Sequence, residues 1–116
     1  MSSNMKTLSA AAMAILGITL STQSLAGDPS AGTEKSAVCA ACHGPDGNSP
    51  LPENPKIAGQ YADYLELALQ EYRSGVRPNP IMAGMAAALT DEDIADLAAY
   101  FASQEGLKVL SKDPVN

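Results

Sequence analysis

An all-α fold of about three main helices joined by long loops is what this 116-residue chain predicts. Three observations carry it: apolar residues recur at helical spacing in two windows, capping residues stand where helices would begin, and no useful run of period-2 alternation occurs anywhere. Strands are not expected.

The elements follow in chain order. Asp28-Pro29 places a capping side chain before a proline suited to the first helical position, and up to about Val38 only Gly32 disfavours a helix. Residues 44–60 then carry Pro45, Gly47, Pro50, Pro52, Pro55 and Gly59, a density of breakers that predicts a long irregular loop. Tyr61, Tyr64, Leu65, Ala68, Leu69 and Tyr72 recur at helical spacing and stop at Gly75, the second helix. Residues 76–89, with Pro78, Pro80 and Gly84, read as a second irregular stretch. Thr90 and Asp93 form a capping-box-like start to the third helix. Its stripe is Ile94, Leu97, Ala98 and Phe101, and its expected end lies near Gly106. Residues 108–116 look like a loose tail.

The first 26 residues read as a leader. Lys6 is their only charge, an apolar run extends from Leu8 to Leu20, and Ser24-Leu25-Ala26 offers small residues for cleavage after Ala26. The run is too short to span a bilayer, which needs roughly 20 residues, so an exported, soluble mature chain is expected. Cleavage leaves a single domain over residues 27–116 and, with Lys6 gone, moves the net charge from −6 to −7. No basic surface exists to meet a phosphate backbone, so nucleic acid is not an expected partner. The mature chain is short and poor in aromatics, and much of its apolar content is Ala, so side chains alone fill a small core. A bound cofactor is the natural filler.

Cys39-Ala40-Ala41-Cys42-His43 supplies the means. It is C-x-x-C-H, in which two thiols three residues apart add to the two vinyl groups of one porphyrin while the adjacent imidazole reaches the iron. A thioredoxin-type pair needs a βαβ context that is missing, and a structural zinc site would lack a fourth Cys or His. With His43 as one axial ligand, the chain holds no second His, which leaves Met, Lys or an open position. Outside the leader only Met82 and Met85 remain, both in the second irregular stretch. A thioether there would make a His/Met pair, which raises the potential.

Four segments carry a resemblance: Cys-Ala-Ala-Cys-His-Gly at 39–44, Asp-Gly-Asn-Ser at 46–49, Pro-Lys-Ile-Ala-Gly-Gln at 55–60, and Met82-Ala83-Gly84 followed by Leu89-Thr90. On these the chain resembles a class I c-type cytochrome, and in particular one haem domain of the bacterial periplasmic cytochrome c-four family. The resemblance implies the small cytochrome c fold around one covalently bound haem c. It implies thioether links at Cys39 and Cys42, and His43 and Met82 as the two iron ligands. It further implies that the Pro55 carbonyl accepts the Nδ1 proton of His43, and that the first and last helices cross at Gly32 against Tyr100.

The expected function is that of a soluble periplasmic electron carrier, not an enzyme, cycling Fe(II)/Fe(III) between respiratory redox proteins as a monomer or weak dimer. Two alternatives stand beside it: a small haem protein whose distal ligand is displaced by a gas or peroxide, and a haem subunit of a larger oxidoreductase. The absence of charge between Pro78 and Thr90 marks an apolar rim there as the expected docking face.

Overall fold

The structure is a computed structural model that describes residues 26–107; the expected leader, Ala26 excepted, and the expected tail lie outside the described residues. Among these are five helices: α1 (Pro29–Lys35), α2 (Ala37–His43), α3 (Ala62–Ser74), α4 (Pro80–Ala86) and α5 (Asp91–Ala102).

Local chemistry accounts for most of the boundaries. Asp28 caps α1 by accepting the Ser30 N–H at 2.8 Å. The first helix does not stop near Val38: it is interrupted at Ser36, whose hydroxyl donates to the Thr33 carbonyl, and continues for about two more turns as α2. No breaker intervenes until Gly44, whose φ of +82° suits a residue without a Cβ. Gly75, at φ +80°, ends α3 in the left-handed conformation.

The second stretch expected to be irregular contains α4. Asn79 accepts the N–H groups of Ile81 and Met82 at 3.1 and 3.0 Å, and Pro80 occupies the first turn, where its missing N–H costs nothing. Thr90 and Asp93 close a full capping box on α5, with bonds of 3.1 and 3.0 Å. That helix ends at Ala102 rather than near Gly106. The Ser103 hydroxyl and Gln104 amide cap the Tyr100 carbonyl, and the chain then turns so that the Leu107 N–H reaches the Ala58 carbonyl.

Packing is centred on α5, which meets both α1 and α3, while α4 packs on α3. At the α1–α5 crossing Gly32 is indispensable, since a Cβ there would stand 2.1 Å from the Asp96 carbonyl oxygen. The core is small: Leu65, Leu97, Ala98 and Phe101 form its buried cluster, and Ile94 and Leu97 are the largest side chains fully removed from solvent.

A charged clamp fastens the same crossing. Asp96, only 5% exposed, accepts the Asp28 N–H at 2.7 Å and Lys35 Nζ at 2.6 Å, and Lys35 also reaches Asp93 at 2.9 Å. Lys35, helped by the Thr90 cap, holds the Asp93 carboxyl down to about 2, and Lys35 with the Asp28 N–H lowers Asp96 as well. Carboxyls depressed in the fold stabilise it fully above their unfolded value of about 3.9, and that contribution is lost as pH falls toward the folded value. Thermal unfolding midpoints measured from pH 7 to 2.5 should therefore be flat down to about pH 4.5 and fall below it. Lys35→Met should lower the midpoint at pH 7 and make the acid limb shallower; an unchanged acid limb would count against the clamp.

Candidate functional site: the C-x-x-C-H turn and its loop

Helix α2 presents Cys39, Cys42 and His43 at i, i+3 and i+4, which puts all three on one face. Neither cysteine is in a disulfide; Cys39 is half-buried against the Leu65/Leu97/Phe101 cluster and Cys42 is exposed. Burial pushes the Cys39 thiol up from its ordinary value, the opposite of the lowered value that makes a redox-active thiolate. Among the described residues no three His, Cys, Asp or Glu side chains gather as a metal shell.

His43 is 7% exposed, and its Nδ1 lies 2.8 Å from the Pro55 carbonyl oxygen. A carbonyl only accepts, so Nδ1 carries the proton and donates it. The lone pair is thereby assigned to Nε2, the tautomer an axial haem ligand requires.

The loop carrying Pro55 is irregular yet tightly held. The Gly47 carbonyl accepts the Ile57 and Ala58 N–H groups at 2.9 and 3.2 Å, and the Phe101 carbonyl takes Gly59 at 2.9 Å. The Tyr100 hydroxyl donates to the Pro45 carbonyl at 2.8 Å, and the Asn48 amide donates to the Glu105 carbonyl at 2.7 Å. Buried Ser49 donates to the Cys42 carbonyl, one residue before His43. The C-terminal end of α5 thus grips both limbs of the loop that orients the imidazole.

Of the residues singled out in the sequence, the structure brings His43 and Pro55 into contact and sets Cys39 and Cys42 beside His43. Met82 lies in the first turn of α4, half-buried, and Met85 is 51% exposed. Sequence reasoning missed Ser49, Asn79 and the hydroxyl of Tyr100 as supports of the site. Asn79 was discoverable, since Asn79-Pro80 repeats the pattern of Asp28-Pro29. The other two act through tertiary contacts that no local pattern encodes.

These residues fit a covalently tethered haem. Two unpaired thiols and an imidazole with its Nε2 free share one face, and a protein with so few buried side chains leaves Leu51, Tyr61, Tyr64, Ile81 and Met85 exposed on the loop, α3 and α4.

Comparison with known proteins is consistent with that chemistry. The cytochrome c family model matches residues 30–105. Cytochrome c4 of Pseudomonas aeruginosa is 51% identical over 89 residues, which are 77% of this chain but 44% of that protein. Cytochrome c-554(548) of Halomonas halodenitrificans is 49% identical over 83 residues, 69% of this chain and 100% of that one. The crystal structure of reduced recombinant cytochrome c4 from Pseudomonas stutzeri superposes with a TM-score of 0.67 at 48% identity, covering 71% of this chain and 48% of its own. The chain spans less than half the length of the cytochrome c4 relative and the whole of the shorter one. A tethering motif on a helix face, an imidazole fixed by a carbonyl and this breadth of similarity have one common source: the chain belongs to the cytochrome c family, alongside cytochrome c4.

Proposed function

We propose that the protein is a soluble periplasmic electron carrier that would hold one haem c through Cys39 and Cys42, with His43 and Met82 supplying the two iron ligands. The observation that carries this reading is the 2.8 Å bond between His43 Nδ1 and the Pro55 carbonyl. When bound, the haem supplies a one-electron Fe(II)/Fe(III) couple. His43 offers its Nε2 in a fixed orientation, and the Pro55 carbonyl raises the basicity of that nitrogen by accepting the proton opposite it. Met82 offers a thioether from a turn whose backbone is pinned by Asn79. With the His43 imidazole and the Met82 thioether both available to hold the iron, a bound haem would exchange electrons without taking up a substrate, so we read the protein as a carrier rather than an enzyme. Its partners are donor and acceptor redox proteins, met transiently over the exposed apolar rim at Ile81 and Met85.

Carbon monoxide tests this reading against a displaceable distal ligand. The absorption spectrum of the reduced holoprotein should stay unchanged on adding carbon monoxide over minutes, and a redox titration should show one reversible one-electron wave. Rapid spectral change would move the reading to a gas-binding haem protein.

A further inference from the structure

Between Pro50 and Lys56 the limb that delivers the Pro55 carbonyl has little to lean on. Every residue of it except Asn54 is exposed, Pro55 included. A carbonyl on so exposed a limb holds an imidazole at 2.8 Å only if the backbone is anchored on either side of it. On the C-terminal side the anchor is a pair of bonds, since the Ile57 and Ala58 N–H groups both reach the Gly47 carbonyl. On the N-terminal side it is one hydroxyl.

Ser49 is only 6% exposed, and its Oγ lies 3.1 Å from the Cys42 carbonyl oxygen and 3.0 Å from the Leu51 carbonyl oxygen while accepting the Leu51 N–H at 3.1 Å. A hydroxyl has a single hydrogen, so the two carbonyls share it, and the Leu51 N–H fixes the oxygen between them. The Cys42 carbonyl is among the last of α2, which no N–H of that helix can satisfy, and His43 follows it directly. The Leu51 carbonyl also accepts the Asn54 N–H at 3.2 Å, closing a turn whose next residue is Pro55.

The bonds therefore run in a ring. His43 holds Pro55 through Nδ1, the chain returns from Pro55 through Asn54 and Leu51 to Ser49, and Ser49 reaches back to the turn that carries His43. We propose that Ser49 is a positioning residue for the iron ligand: its hydroxyl ties the turn of His43 to the limb of Pro55, and so sets the strength of the bond between Nδ1 and the carbonyl. This rests on the haem reading above.

The effect has a sign. Without the hydroxyl the turn at Leu51 loses its tie to α2, the Pro55 carbonyl becomes a weaker acceptor, and the less basic imidazole supports ferric iron less well. Two readings on holoprotein report this: exchange of the His43 Nδ1 proton with solvent, followed by NMR in the reduced state, and the Fe(II):Fe(III) ratio at the ambient potential where the parent is half reduced. Ser49→Ala should speed the exchange about tenfold, the loss of about one hydrogen bond. It should raise the ratio about threefold, which for one electron is about 28 mV. Ser49→Thr keeps the oxygen and should bring both readings back within about twofold of the parent. Ser36 is the matched control, 5% exposed, with a hydroxyl that also donates to a backbone carbonyl but has no bond to the limb. Ser36→Ala should lower the unfolding midpoint and leave both readings within about twofold. In the parent itself the Leu51 and Asn54 amides should share the protection of the Nδ1 proton within about threefold, because one opening frees all three.

A lower unfolding midpoint in Ser49→Ala with exchange and ratio both unmoved would overturn the proposal and reduce Ser49 to a support of the fold. Equal shifts in Ser36→Ala, or undiminished ones in Ser49→Thr, would also overturn it, since general loosening or altered packing would then be the cause. Should Ser49→Ala not accumulate, the parent's exchange decides: a Leu51 amide that exchanges freely beside a protected Nδ1 proton shows that the ring does not act as one. A parent without covalent haem, seen as a missing Soret band, is failure of the functional reading and not of this one.

Discussion

Cys39→Ala/Cys42→Ala protein freed of haem is expected to lose most of its helix, with a far-UV circular dichroism signal at 222 nm below about half that of the holoprotein, because domains of this size are marginal without a staple. The reason lies in the inventory of the core. Besides Leu65, Ile94, Leu97 and Phe101, the buried apolar residues are alanines, which bury little area each. Around them Leu51, Tyr61, Tyr64, Ile81 and Met85 stand open on the three segments that would face a tethered group. A haem thus covers more apolar surface than any side chain in the molecule. Binding to the folded state alone stabilises that state, and a covalent tether makes the contribution permanent. The clamp of Lys35 with Asp96 and the Gly32 crossing join α1 to α5, so residual helix in the apoprotein should be confined to those two elements. Native helix content in the haem-free double variant would show that α1, α3 and α5 suffice by themselves.

The helices were legible in the sequence to the degree that each is governed by its own ends. The capping box at Thr90 and Asp93 and the Gly75 stop act within a few residues, and the third and second helices begin and end close to them. Residues 76–89 combine Pro78, Pro80 and Gly84, which break a helix interior, with an asparagine cap after which proline initiates one, and the cap decides. The first helix ran past its expected end because Val38 to His43 contains nothing that stops one. What no local pattern can encode is contact at long range. The loop of residues 44–60 is irregular by composition, yet it is ordered through Tyr100, Phe101 and Glu105, more than forty residues away. The contact between His43 and Pro55 spans twelve residues of that loop, so only likeness to a family pattern pointed to it. Lys35 and Asp96 meet because Gly32 permits the crossing, a fact of packing that charge patterning does not show.

Met82→Ala should change the redox behaviour more than any other single substitution on α4. Met82 and Met85 share a chemistry but not a setting. Met82 is in the first turn, with its N–H on the Asn79 side chain, and its side chain is half-buried; Met85 is in the last turn and half exposed. A ligand must hold its sulfur in place against the entropy of three rotatable bonds, which favours the residue whose backbone is pinned and whose side chain is already confined. A thioether opposite imidazole favours reduced iron, so losing it should lower the potential by on the order of 0.1 V or more, within the range of about 0.8 V that axial ligands set. The iron–sulfur absorption band of the oxidised protein should vanish, and the reduced protein should bind carbon monoxide within seconds. Met85→Ala should keep the band, resist carbon monoxide and shift the potential little, since it removes an exposed side chain from the rim. If Met85→Ala abolishes the band and Met82→Ala retains it, the ligand is Met85, and the last turn of α4 must rotate inward when haem is attached.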